Sequence, residues 1–187
     1  RSRGLGDVYK RQVQGPVDYT PGAYRNATRE GFRIDYRNPM SQGTRAHQVA
    51  AYVVFDAPLV MLCDSPTRYM ADEACTRFIA SLPVVFDTTR VLAGEIGEYI
   101  VTARKRQDCW YVGGLTGWTP RTLDVDLSLL DPGREYTATL LADDGRSAAE
   151  PARYVLSTQR VTSATRLQIP VAPGGGFALK IEPADNK

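Results

Sequence analysis

Histidine and cysteine are scarce in this chain of 187 residues: one histidine, His47, and three cysteines, Cys63, Cys75 and Cys109, with no Cys-x-x-Cys pair. A histidine-based metal site or a Ser-His-Asp triad needs partners placed around the imidazole, so a lone histidine argues against both. His47 is expected in helix packing instead. An odd number of unclustered cysteines indicates neither a disulfide framework nor a zinc site. Long apolar runs are missing too. None reaches the roughly 18 residues of a membrane span, and the longest is broken by Asp56 and Pro58. The glycine triplet Gly174–Gly176 lacks the Gly-Lys-Ser/Thr ending of a phosphate loop and precedes a strand pattern, so it reads as a bend before the last strand.

An excess of positive charge is the last absence, although the formal net charge of +2 hides it. Residues 1–12, RSRGLGDVYKRQ, hold four cations against Asp7, a net +3, which leaves −1 for the rest. No basic patch remains for nucleic acid. The same twelve residues have no apolar stretch of the kind a secretory signal needs. They resemble translated adapter sequence and are set aside as a non-native leader.

What is present is ordinary in amount, 43% hydrophobic and 24% charged, and informative in order. From Ser41 the residues predict a helix, with Ser41 as N-cap. It is apolar nearly all round over Val49–Phe55, hence buried between two surfaces, and it ends before Pro58. Leu59–Cys63 then reads as a short strand covered on both faces, with Cys63 inside it and inert. Asp64 follows at the strand's C-terminal end, where a parallel barrel carries its ligand-binding groups. The alternative is local: Asp-Ser-Pro is also turn chemistry. Upstream, a strand to about Val17 leads into Asp18, Tyr19, Thr20 and Pro-Gly. An aspartate beside a tyrosine at a barrel mouth could hold a sugar, the carboxylate accepting from hydroxyls and the ring stacking on an apolar sugar face. A plain turn fits equally well. Asp18, Tyr19 and Asp64 are therefore the candidate substrate-binding residues. Residues 23–40 form a long polar loop, a length that tends to be functional. A second helix is expected over Ala71–Ser81, with Ala74, Phe78 and Ile79 on one face. Strand, loop, helix, strand, loop, helix makes two βα units, too few to close a barrel.

From Pro83 onward the pattern turns to strands. Tyr99–Ala103 and Trp110–Gly113 flank a polar turn, as a hairpin does. Leu123, Val125 and Leu127 alternate with polar residues, as do Tyr136–Leu140, Leu167–Val171 and Phe177–Ile181. Tyr154–Val161 is a further candidate. Short strands punctuated by Asp-Pro-Gly and Asp-Asp-Gly turns predict an antiparallel sandwich. The boundary is placed near residues 82–90. Trp110 and Trp118 either fill the sandwich core or form a sugar-stacking platform.

The segments GPVDYTPG (15–22), NPMSQGTRAHQVAAYVVFDAPLVMLCDSP (38–66), FIASLPVVFDTTRVLAGEIGEYIVTARKRQDCWYVGGLTGWTPR (78–121) and APGGGFALKI (172–181) resemble the C-terminal part of glycoside hydrolase family 97. The likeness runs from Val13 to Pro183 in one order. It implies an α/β part followed by an all-β part: residues 13–82 as the last two βα units of a truncated (β/α)8 catalytic barrel, and 83–187 as a C-terminal antiparallel β-sandwich domain. It implies an enzyme on terminal α-glycosidic bonds, an α-glucosidase or α-galactosidase acting on an oligosaccharide or α-glycoside, with calcium near its active site. Periplasmic or exported location follows from the same resemblance. The family's catalytic and calcium-binding carboxylates lie upstream of GPVDYTPG, and Glu30, Glu73, Glu95 and Glu98 match none of them. No catalytic or metal residue is therefore assigned. The fragment is expected to be inactive without the missing N-terminal part of its chain. The alternative is a non-catalytic carbohydrate-binding or domain-packing β-module.

Overall fold

The computed structural model describes residue 16 and residues 19–184. Among them the architecture is mostly β: a six-stranded antiparallel sheet, a two-stranded ribbon over one face, and a helix over the other with two shorter helices beyond it.

The helical part starts from the long loop. Its two ends are tied by β1 (Asn26–Ala27) running parallel to β2 (Ser41–Gln42). Helix α1 follows at Arg45–Val54. Its cap is Thr44, not Ser41: Thr44 Oγ1 accepts from the His47 amide at 3.1 Å, whereas Ser41 pairs with Asn26. Every residue of α1 except His47 is buried, as all-round apolarity requires. A short helix, α2 (Pro66–Ala71), precedes the helix expected over Ala71–Ser81, which is present as α3 (Glu73–Ala80). Pro66 starts α2, because its missing N–H costs nothing in a first turn. Asp72 leaves the helical region (φ −135°, ψ 75°), and its carboxylate accepts from the Cys75 amide to start α3. The buried face of α3 is Cys75, Phe78 and Ile79, and Ala74 is exposed.

Leu59–Cys63 is not a strand. It makes one parallel bridge, Val60 to Tyr19, while Leu59, Met61 and Leu62 are 69%, 60% and 52% exposed. Cys63 is exposed as well. A parallel strand is stable when neighbours pair with both edges and helices cover both faces. The described residues supply a single bridge on one edge. The first strand of the predicted barrel pair, up to Val17, lies outside the described residues apart from Pro16.

The β-part holds every strand predicted for it and one more, β3 (Thr88–Glu95), that the pattern did not show. The others are β4 (Tyr99–Arg106), β5 (Cys109–Thr116), β6 (Arg121–Asp126), β7 (Tyr136–Ala142), β8 (Val155–Val161), β9 (Arg166–Val171) and β10 (Gly176–Pro183). The large sheet runs β3-β4-β5-β10-β7-β8, and β6 pairs with β9 as the ribbon. β10 inserts between β5 and β7, antiparallel to both. Alternation then sorts the side chains. Phe177, Leu179 and Ile181 of β10 join Val112 of β5 and Leu123, Val125 and Ile169 of the ribbon in one core. Trp110 is in that core too, 5% exposed.

The opposite face of the sheet receives α1, and glycine sets how closely. A Cβ on Gly113 would stand 2.9 Å from both Val53 Cβ and Val54 Cγ2, and 3.1 Å from the Ala50 carbonyl. Gly176 on the adjacent strand lies under the same helix, where a Cβ would come 3.2 Å from His47 Cα. Among the described residues no helix is long and apolar enough to cross a membrane. Replacing Gly113 by Val is expected to overpack this contact and cost about 1–3 kcal/mol, read as a lowered midpoint in urea denaturation.

Candidate functional site

Two of the three predicted site residues, Tyr19 and Asp64, fall on one seam, where residues 19–24 run beside residues 60–64. Tyr19 bridges to Val60 and meets Phe55 edge-on at 4.9 Å between ring centres. Asp64 is half-buried, and both its oxygens accept backbone amides: Tyr24 N at 2.9 Å and Ser65 N at 2.9 Å. Arg68 Nε stands 3.6 Å away. Asp64 thus ties two chain segments while capping its own turn. Asp18 lies outside the described residues.

Tyrosines stitch the seam. Tyr69 Oη donates to the Gly22 carbonyl at 2.8 Å and accepts from the Asp64 amide at 3.1 Å, and burial pushes this phenol up to about 12. Tyr52 Oη donates to the Pro21 carbonyl at 2.8 Å. Gly22 is required where it is: its φ is +91°, and a Cβ would collide with the Tyr52 hydroxyl.

Sequence reasoning missed a buried polar hub behind the seam. Arg45, in the first turn of α1, donates to Asn26 Oδ1 at 2.8 Å, to the Tyr24 carbonyl at 2.6 Å and to Asp72 Oδ2 at 2.8 Å. Its guanidinium lies 3.9 Å over the Tyr24 ring. Asp72 Oδ1 accepts from Tyr154 Oη at 2.7 Å, and burial raises the Tyr154 phenol far above its ordinary range. The available signal was one arginine at the head of an otherwise apolar helix.

A second buried carboxylate, Asp143, organises the glycine bend. Its Oδ2 accepts from Ala172 N at 2.9 Å and Gly176 N at 3.0 Å. The bend in turn offers the Gly174 carbonyl to Thr44 N at 3.0 Å and the Gly175 carbonyl to His47 Nδ1 at 3.1 Å. His47 is therefore the tautomer with its proton on Nδ1, and burial holds its pKa below the ordinary value. Burial pushes the Asp143 carboxyl up to about 6, against the pull of its hydrogen bonds. At the other end of α1, Arg104 donates to the Phe55 carbonyl and to Asp56, both at 2.9 Å, closing the helix C-terminus with a cation.

These groups hold backbone. They include no paired carboxylates facing open space and no nucleophile beside a base. A calcium cage does not fit either: among the described residues no three of His, Cys, Asp and Glu come together.

Residues 85–182 match the family described as "Glycosyl-hydrolase 97 C-terminal, oligomerisation". The chain belongs to glycoside hydrolase family 97. This family 97 chain is 48% identical, over 92% of its length, to a retaining alpha-galactosidase of Bacteroides thetaiotaomicron, of which it covers 26%. It is 30% identical, over 91% of its length, to a probable retaining alpha-galactosidase of Streptomyces bingchenggensis, of which it covers 24%. In structure it is similar to a family 97 enzyme from Pseudoalteromonas sp. strain K8, solved in complex with acarbose. The TM-score is 0.72 at 28% identity, over 76% of this chain and 23% of that one. The chain thus spans about a quarter of the length of the curated relatives it matches.

Two outcomes are expected. Asp72→Asn leaves Arg45 without its charge partner. Asp72 is about a quarter exposed, so the cost falls toward the lower end of about 3–5 kcal/mol, measured by chemical denaturation. Asp143 binds its proton more tightly folded than unfolded, so it contributes a loss of stability as pH rises from about 4 through 6. Asp143→Asn flattens that part of the stability–pH curve.

Proposed function

We propose that this chain is part of a retaining α-galactosidase that removes terminal α-linked galactose, and that it has no turnover by itself. The observation that carries the reading is the 48% identity to a retaining alpha-galactosidase along almost the whole chain. Retention needs a nucleophilic carboxylate and an acid/base carboxylate about 5–5.5 Å apart. The acid must also reach the leaving oxygen. Glu30, Glu73, Glu95 and Glu98 match no catalytic position of the family, so both groups belong to the part of the enzyme upstream. Calcium, if the enzyme uses it, is held there as well.

This chain's contribution is to build and brace the end of the catalytic domain. The exposed row Leu59, Met61 and Leu62 supports the reading of a fragment, because a complete barrel would cover it. Asp18, Tyr19 and Asp64 would form part of the site wall next to that row. Asp64 holds the wall in place through the Tyr24 amide. Export to the periplasm or beyond belongs to the same proposal.

The test is an assay of the full-length enzyme and of the 187-residue chain on p-nitrophenyl α-galactoside and α-glucoside, with the product anomer followed by NMR. The full-length enzyme is expected to prefer the galactoside and to release the α-anomer first, and the chain alone to be silent. Preference for the glucoside overturns the sugar assignment. Turnover by the purified chain overturns the fragment reading.

A further inference from the structure

The two tryptophans have separate fates. Trp110 is in the core, but Trp118 is half-buried on the turn after β5, at the wall of a cavity of about 270 Å³. The cavity is built where several turns meet the start of α1. The turn after β1 gives Arg29 and Glu30, the start of α1 gives Thr44, and the turns at Ser147 and Pro173 close the far side.

The Trp118 ring rests against the glycine bend. Gly174 has φ +64°, and a Cβ on it would lie 2.6 Å from the Trp118 ring, so only glycine lets the ring settle there. The Gly174 amide donates to the Gly117 carbonyl at 2.7 Å, locking the bend to the Trp118 turn. Above the ring, the Arg29 guanidinium stands 5.8 Å from its centre, at the outer limit of a cation–π contact. Arg29 and Glu30 are both exposed, and among the described residues neither enters an ion pair.

An aromatic face, a carboxylate that accepts from hydroxyls and a guanidinium that donates to ring oxygens are complementary to a sugar: apolar C–H groups on one side, hydroxyls at the edge. The volume falls just below the range of drug-sized pockets, which suits one ring. We propose that the cleft formed by Trp118, Arg29 and Glu30 binds a single sugar residue of a saccharide. The proposal rests on the glycosidase reading only for its ligand class.

The test uses the chain's two indoles. In the 15N-labelled 187-residue chain, methyl α-galactoside is expected to shift the Trp118 indole N–H signal saturably and to leave that of Trp110 in place. Glu30→Ala, a change at an exposed residue, removes a hydrogen bond to a charged acceptor and is expected to weaken binding about tenfold. A Trp118 signal that does not move, or a titration unchanged in Glu30→Ala, overturns the proposal. If the labelled chain lacks the dispersed spectrum of a fold, native gels cast with galactomannan decide, using the full-length enzyme. Loss of retardation in both Trp118→Ala and Glu30→Ala supports the cleft, and retardation equal to the unsubstituted enzyme overturns it. Failure here leaves p-nitrophenyl galactoside turnover untouched, whereas failure of the α-galactosidase reading abolishes that turnover and leaves the indole signal open to titration with other sugars.

Discussion

The fold depends on how closely one helix lies on one sheet. Helix α1 rests on Gly113 and Gly176, and its backbone approaches the strands to a distance that a single methyl group would prevent. Much of the described part N-terminal to the sheet is positioned through that contact, with further ties such as Tyr154 to Asp72. The seam of Tyr19, Tyr24 and Asp64 packs on α1 from the outside, and α2 and α3 pack on α1 through Tyr69, Phe78 and Ile79. Such a contact combines two gains. Small residues let dispersion act over many atom pairs at short range, and the all-round apolar helix leaves water on both sides at once.

A helix buried this fully has to satisfy its ends inside the protein. The sheet does so at both. Residues of the glycine bend supply the carbonyl for Thr44 and the surroundings of His47, and Asp143 fixes that bend. Arg104 reaches from β4 to the Phe55 carbonyl and to Asp56. The polar groups buried around α1 therefore work mainly as orientation devices. They set where the helix starts and stops relative to the strands, which apolar packing alone leaves free to slide.

Legibility in the sequence follows the range of the interactions. Strands with one wet and one dry face were readable because Thr122, Asp124 and their neighbours alternate with Leu123 and Val125, and the turns between them carry proline and glycine. The sandwiched helix was readable because Val49–Phe55 has no polar side. The failures come from partners far away in the chain. Ser41 and Thr44 are equally good caps in isolation, and only pairing with Asn26 separates them. The apolar run Leu59–Cys63 reports what a segment can bury, not whether anything covers it. The Arg45–Asp72–Tyr154 hub joins three residues that no local pattern connects. Of the candidate site, Tyr19 and Asp64 fall on one seam through different partners, Val60 and Tyr24, and the backbone duties of Asp64 appear only in three dimensions.

The order of strands carries a consequence for how the molecule comes together. β3–β4 and β4–β5 are pairs of sequence neighbours whose contacts close over short loops, the kind that form first, and β7–β8 is a further neighbouring pair joined by the longer stretch 143–154. β10 shares no hairpin with either of the strands it separates. Without it, the large sheet is a three-stranded meander, β3-β4-β5, and a separate β7-β8 pair, each with an unpaired inner edge. Its insertion joins them, brings the bend onto Asp143, and sets Gly176 beneath α1 in one event. The sheet thus behaves as a zip fastener whose slider is its last strand: cooperativity across the whole unit is concentrated in a single late step.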